Sequence, residues 1–139
     1  MGFLDVLKKM GCAITKNKKG ICVRGPAKLK ALDAIDLSHM QDAAMTVAVL
    51  SVFAGGISKL TGLASLRVKE CDRLHALQTE LTKIGVKVTT THSSITIHGG
   101  NKRLKKATIE TYDDHRMAMC FGMARLKLPG ITVKDPECV

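Results

Sequence analysis

Apolar and polar positions follow two different periods along this chain, and the periods trade places in the same order twice. Leu74, Leu77, Leu81 and Ile84 recur at spacings of three and four, which predicts a helix over 72–84 with one buried stripe. Gly85 then supplies a left-handed stop. Beyond it the period falls to two, and Val86–Thr90 with Ser94–His98 reads as a hairpin. A short strand over Ala107–Glu110 and an apolar helix over Asp114–Leu126 follow, with a closing strand after Gly130. The first half repeats this grammar: a helix over Phe3–Met10 stopped by Gly11, a hairpin, a strand over Ala34–Leu37, an apolar helix over Asp42–Ala54, and a strand after Gly56.

Residue matches support the repeat at an offset of a little over seventy residues. Lys9-Met10-Gly11 falls on Lys83-Ile84-Gly85, Ile21-Cys22-Val23-Arg24-Gly25 on Ile95-Thr96-Ile97-His98-Gly99, and Asp42-Ala43-Ala44-Met45 on Asp114-His115-Arg116-Met117. The expected architecture is an α/β fold of repeated strand–helix units with mixed sheets, dividing near Gly62–Ser65 into units of about 3–64 and 65–139.

Composition narrows the function classes. With 139 residues, 45% apolar and 24% charged, the chain reads as globular, with one core of ordinary size. The longest apolar run, Ala43 to Ala54, is too short to span a bilayer, and Met1-Gly2-Phe3-Leu4-Asp5 does not read as the start of a signal peptide. Five scattered cysteines without a CxxC pair suggest free thiols and a cytoplasmic protein. His39, His75, His92 and His98 lack metal-ligand spacing and read as surface or edge residues, so no metal is expected. The net charge of +10 points to anionic partners. An aromatic content of 3% leaves few stacking platforms, which argues against nucleic acid. The lysine runs at 16–19 and 102–106 read as solvated loop charge, which leaves small phosphorylated or carboxylated ligands.

Three charged stations precede predicted helices, and in repeated units such starts tend to share one side. At the first, Asp42 reads as a helix cap. At the second, Lys69, Glu70 and Arg73 admit two readings. Asp72 caps while the others form surface ion pairs; or the cations clamp an anion, with Arg73 two-pronged, Lys69 a point charge and Glu70 moving protons. The third, Asp113-Asp114-His115-Arg116, is more telling. A carboxylate suits the positive end of a helix dipole, but a His-Arg pair opposes it, and a bound anion would resolve the conflict. His115 can be an acid–base group, an anion donor or hydrogen-bonded structure. Tyr112 reads as packing, and Met117, Met119 and Met123 as core.

Taken together, Leu66-Arg67-Val68-Lys69-Glu70-Cys71-Asp72-Arg73, Thr111-Tyr112-Asp113-Asp114-His115-Arg116-Met117-Ala118-Met119, Ser38-His39-Met40-Gln41-Asp42-Ala43-Ala44-Met45-Thr46 and Asp135-Pro136-Glu137-Cys138 resemble the 5-enolpyruvylshikimate-3-phosphate synthase family. The resemblance runs from Phe3 to Val139. It implies transfer of the enolpyruvyl group of phosphoenolpyruvate to the 5-hydroxyl of shikimate 3-phosphate, in the pathway to aromatic amino acids, with no metal or organic cofactor. By resemblance Asp42 accepts the hydroxyl proton and Glu70 shuttles the proton at the methylene carbon. Lys69 lies against shikimate 3-phosphate, and Arg73 and Arg116 hold the phosphoenolpyruvate carboxylate with His115 beside them. Gln41 stands where the family usually has proline, which is expected to loosen the approach to the helix. Cys71 replaces a threonine or serine. Family members are longer two-domain enzymes, so this chain resembles part of the C-terminal domain, and the missing domain is an expected partner. Turnover by the chain alone is not expected. The alternative is a non-catalytic anion-binding or interaction module that keeps the fold.

Overall fold

The computed structural model of the chain describes residues 2–139. In chain order its elements are α1 (Phe3–Lys9), β1 (Ala13–Asn17), β2 (Gly20–Arg24), β3 (Leu29–Lys30), β4 (Ile35–Asp36), α2 (Gln41–Val52) and β5 (Ala54–Thr61). A short 3-10 turn (Ala64–Val68) leads to α3 (Arg73–Lys83), β6 (Lys87–Thr90), β7 (Ile95–Gly99), β8 (Ala107–Ile109), α4 (His115–Ala124) and β9 (Ile131–Val133); a last 3-10 turn spans Pro136–Cys138.

Helix α3 forms where the three-four stripe places it. Leu74, Leu77, Leu81 and Ile84 are all buried, each contributing about 1.5–3 kcal/mol. Asp72 accepts the His75 N–H at 3.0 Å and so satisfies one of the otherwise unpaired donors of the first turn. Gly11 and Gly85 sit at φ of 97° and 88°, the left-handed stops that the sequence predicts after α1 and α3. Helix α2 is apolar on nearly every face and is correspondingly covered: Ala44, Met45, Val47, Ala48, Val49 and Val52 are buried against β5, β7 and α4.

The sheets are mixed, as expected. β5 is central: β3 and β4 pair parallel with its two ends, and β7 pairs antiparallel along Gly56–Leu60. β6 completes this five-stranded sheet against β7. β8 and β9 form a parallel pair, while β1 and β2 form a separate, largely exposed hairpin. Leu60, Ile95, Ile97 and Val88 point from the sheet into a core shared with α2, α3 and the Met117–Phe121 face of α4.

Three local expectations are corrected. α2 ends at Val52, not Ala54, because Ala54 leaves the helix to pair with Leu29 as the first residue of β5. α4 stops at Ala124, short of Leu126, and its last carbonyls are taken by a tight turn in which the Leu126 and Lys127 N–H groups donate to Met123 and Ala124. Met117 is core, but Met119 and Met123 are about half exposed, Met123 because it lines an open cavity beside Asp42 and Thr46 of α2. The two-residue β3 had no period to announce it.

Candidate functional site

Each charged station lies at the start of a helix or just before it, and the packing of α2, α3 and α4 brings the three together. Asp114 caps α4: its Oδ1 accepts the Arg116 N–H at 2.9 Å. The same carboxylate, fully buried, receives Arg73 Nε at 2.7 Å on Oδ2 and Nη2 at 3.2 Å on Oδ1. Arg73 is the first residue of α3 and only 1% exposed. Its remaining donors reach Glu70 Oε2 at 2.6 Å and Asp42 Oδ1 at 3.2 Å. Asp42 turns its other oxygen to Arg116 Nη2 at 3.4 Å. Five charged side chains from three distant segments thus form one network with a buried end at Asp114 and a solvated end at Asp42 and Glu70.

Burial raises the pKa of Asp114, but the hydrogen bonds from Arg73 and from the Arg116 N–H outweigh it, so the carboxyl is held below its ordinary range. For Arg73 burial works against the charge, and Asp114, Glu70 and Asp42 together more than restore it. Cys71 donates to Asp114 Oδ2 at 3.5 Å; burial, then the nearby carboxylate, pushes its thiol up to about 12. It enters the network as a protonated donor.

An open cavity of about 720 Å³ lies over the solvated end of the network. Asp42, Lys69 and Arg116 line it, with Ser38, His39, Gln41, Ser65 and Met123 around them. Glu70 and Arg73 are not part of this lining; Arg73 joins it through Asp42, and Glu70 through Arg73. His115, half-buried at the first turn of α4, is not part of the lining and has no side-chain hydrogen bond among the described residues.

Several expectations change here. Asp42 does not cap α2; Met40 occupies that position and the Asp42 side chain is spent on two arginines. Glu70 lies three residues before the start of α3 and pairs with Arg73 at 2.6 Å. Arg73 is turned inward onto Asp114, so it is no free clamp in this state. Gln41 does not loosen the approach to α2. Its Nε2 donates to the Ser38 carbonyl at 3.2 Å and its Oε1 accepts from the Ser65 hydroxyl, tying the helix start to the 3-10 turn. Ser38, His39 and Ser65 also line the cavity; the first two lie in the resembling stretch around Asp42, and no sequence signal marks Ser65. Among the described residues, no three His, Cys, Asp or Glu side chains are grouped as a metal site would need. No helix there is long and apolar enough to cross a membrane.

Comparison with known proteins places this geometry in a lineage. The family model for EPSP synthase (3-phosphoshikimate 1-carboxyvinyltransferase) matches residues 1–139. The 3-phosphoshikimate 1-carboxyvinyltransferase of Laribacter hongkongensis is 46% identical over 139 residues, covering 99% of this chain and 32% of that protein. That of Escherichia coli O127:H6 is 47% identical over 137 residues, covering 98% and 31%. The chain therefore spans about a third of the length of the curated relatives it matches. A solved EPSP synthase from Acinetobacter baumannii superposes with a TM-score of 0.81 at 28% identity, over 96% of this chain and 34% of that one. The enolpyruvyl transferase NikO from Streptomyces tendae shares the fold, with a TM-score of 0.72 at 16% identity over 98% of this chain and 31% of that one.

Proposed function

The chain belongs to the EPSP synthase family, and on that premise we propose that it carries part of the site that transfers the enolpyruvyl group of phosphoenolpyruvate to the 5-hydroxyl of shikimate 3-phosphate. The observation that carries the reading is the convergence of Asp42, Glu70, Arg73, Asp114 and Arg116 on one network beneath the open cavity.

The chemistry fits these residue types. Asp42 takes the proton of the attacking hydroxyl as its oxygen bonds to C2 of phosphoenolpyruvate, while the methylene carbon gains a proton from Glu70, which enters the step as the carboxylic acid once the ligand has taken its place on Arg73. The tetrahedral adduct then breaks its C2–O bond to phosphate, which leaves with the proton that Asp42 took, while the methyl group returns its proton to Glu70 and the double bond is restored. Lys69, exposed on the cavity wall, meets shikimate 3-phosphate. Arg116 offers the substrate carboxylate the part of its guanidinium fork that Asp42 leaves unused, with His115 beside it. Arg73 joins in when the ligand carboxylate displaces Asp42 or Glu70 from its outer donors. Until then it fixes Asp114, and through Asp114 the start of α4.

The rest of the binding site belongs, in this reading, to the remaining length of a cytoplasmic two-domain protein, and the chain itself holds two repeat units, about 3–64 and 65–139. Supporting this, the cavity is open and its lining comes from one side. An open half-site binds without excluding water or completing an anion cage, so the isolated chain binds ligand without turning it over.

Calorimetric titration with shikimate 3-phosphate and then phosphoenolpyruvate tests the proposal. Binding is expected, with loss of the shikimate 3-phosphate heat in Lys69→Ala and of the phosphoenolpyruvate heat in Arg116→Ala. An unaltered chain that binds neither ligand at millimolar concentration would refute the site. Phosphate release from the two substrates by the chain alone would refute its inactivity.

A further inference from the structure

Helix α4 is approached through a backbone that its residues do not favour. The Asp114 N–H donates to the Thr111 carbonyl at 2.9 Å, closing a four-residue turn over 111–114. Both central residues are left-handed: φ is 55° at Tyr112 and 53° at Asp113. Aspartate tolerates that region, but a bulky aromatic residue seldom adopts it, and turns of this kind usually carry Gly, Asn or Asp. Something outside the turn must hold Tyr112 there.

The structure supplies it two turns along α3 from Arg73. Glu80 is fully buried although it is a carboxylate on a helix. Its Oε1 accepts the Tyr112 hydroxyl at 2.7 Å; its Oε2 accepts the Glu110 N–H at 3.2 Å and Lys83 Nζ at 2.7 Å. Burial, and then the Glu80 carboxylate, push the Tyr112 phenol up to about 12, so it remains a donor across the working range. One helix therefore grips both ends of the turn: Glu80 holds Glu110 and Tyr112, and Arg73 holds Asp114.

We infer that Glu80 is a positioning residue whose carboxylate, through the Tyr112 hydroxyl, keeps the 111–114 turn left-handed and thereby seats Asp114 on Arg73 and aims Arg116 at the cavity. The inference rests on the reading above that Arg116 receives an anion, and it assigns a task to two side chains outside the cavity lining. A packing role for Tyr112 makes the opposite prediction for glycine, because glycine abolishes packing yet adopts a positive φ freely.

The test compares Tyr112→Phe, Tyr112→Gly and Glu80→Gln in the full chain, with phosphoenolpyruvate as the probe. Tyr112→Phe, which deletes one hydroxyl, lowers affinity about fivefold to tenfold, the worth of one hydrogen bond. Tyr112→Gly returns it to within about twofold of the unaltered chain, since the tether is no longer needed. Glu80→Gln weakens binding in the unaltered chain but adds less than about twofold to Tyr112→Gly, the signature of two residues acting through one element. Amide hydrogen exchange at Asp114 and Arg116 reads the same device without ligand: it accelerates in Tyr112→Phe and recovers in Tyr112→Gly. The inference is overturned if Tyr112→Phe moves neither affinity nor exchange, if Tyr112→Gly is worse than Tyr112→Phe, or if exchange changes evenly across α3 and α4. Failure of the unaltered chain to bind phosphoenolpyruvate refutes the anion reading, and the exchange comparison then decides this one by itself.

Discussion

Replacing Arg73 by methionine separates the buried end of the charge network from its solvated end. The guanidinium serves three carboxylates that differ in one respect, their burial: Asp114 is fully buried, Asp42 and Glu70 are about half exposed. Pairs with partners in water contribute about 0–1 kcal/mol each, whatever their distance. The pair with Asp114 is different. Arg73→Met fills much of the same volume but leaves a buried carboxylate with only the Arg116 N–H and the Cys71 thiol as donors. Orphaning a buried charge costs about 3–5 kcal/mol. With a urea slope of about 2 kcal/mol/M, the unfolding midpoint falls by about 1.5–2.5 M.

The pH dependence carries the sign. In the unaltered chain the Asp114 carboxyl is held below its ordinary range, so its contribution is present at neutral pH and is lost only as pH falls through that depressed value. In Arg73→Met burial, the largest influence, is opposed only by those two remaining donors and raises it, so the variant regains stability as pH is lowered from 7 towards 5, while the unaltered chain does not. Urea unfolding followed by circular dichroism at pH 7 and pH 5 measures both. Adding Asp114→Asn to Arg73→Met should recover most of the loss, because the orphaned charge is gone. A loss below about 1 kcal/mol at pH 7, or a double variant as unstable as the sum of its parts, would sink the reasoning.

Other consequences are simpler to check. Cysteine labelling at pH 8 should proceed in the order of exposure and acidity: Cys22 is exposed and reacts first, whereas Cys71 and Cys120, both pushed up to about 12 with burial as the leading cause, stay largely unmodified until urea is added. Rapid modification of Cys120 in the native chain would contradict its burial in the α4 core. Ser58→Ala should cost about 1–3 kcal/mol in thermal or urea unfolding, because the fully buried hydroxyl accepts the Leu32 N–H at 3.0 Å and alanine leaves that donor unsatisfied. A neutral substitution would mean that water or another acceptor takes over.

Periodicity and turn chemistry made much of the fold legible. The stripe on α3, its cap at Asp72 and its stop at Gly85 are local signals acting over one or two turns, and local signals survive folding. The apolar run after Asp114 likewise announces α4 from local signals alone, and the His-Arg pair at its start points to an anion. What escaped depends on partners far along the chain. Arg73 turns inward because Asp114, 41 residues away, is buried beside it. Asp42 abandons capping because two arginines outbid the backbone for its oxygens. Glu80 is a polar position on α3 with no signal near it in sequence that Tyr112 needs its carboxylate. The half-exposed Met119 and Met123 were misplaced for a related reason. An apolar residue on a helix announces a preference for burial, but only the neighbours decide which faces are covered.

The central strand β5 also bears on how this chain meets the ribosome. One edge of β5 is satisfied by β3 and β4, made before it, but the other waits for β7. During synthesis the row of open N–H and C=O groups along Gly56–Leu60 is complete 39 residues before the end of its partner at Gly99 has been made. At about 5–20 residues per second that interval is roughly 2–8 seconds. For that time the nascent chain presents an unpaired strand edge to whatever else is nearby, including the same strand on a neighbouring nascent chain. Slower translation of the α3 segment lengthens this exposure, so codon choice between residues 62 and 94 should influence soluble yield more than the same choice after residue 99.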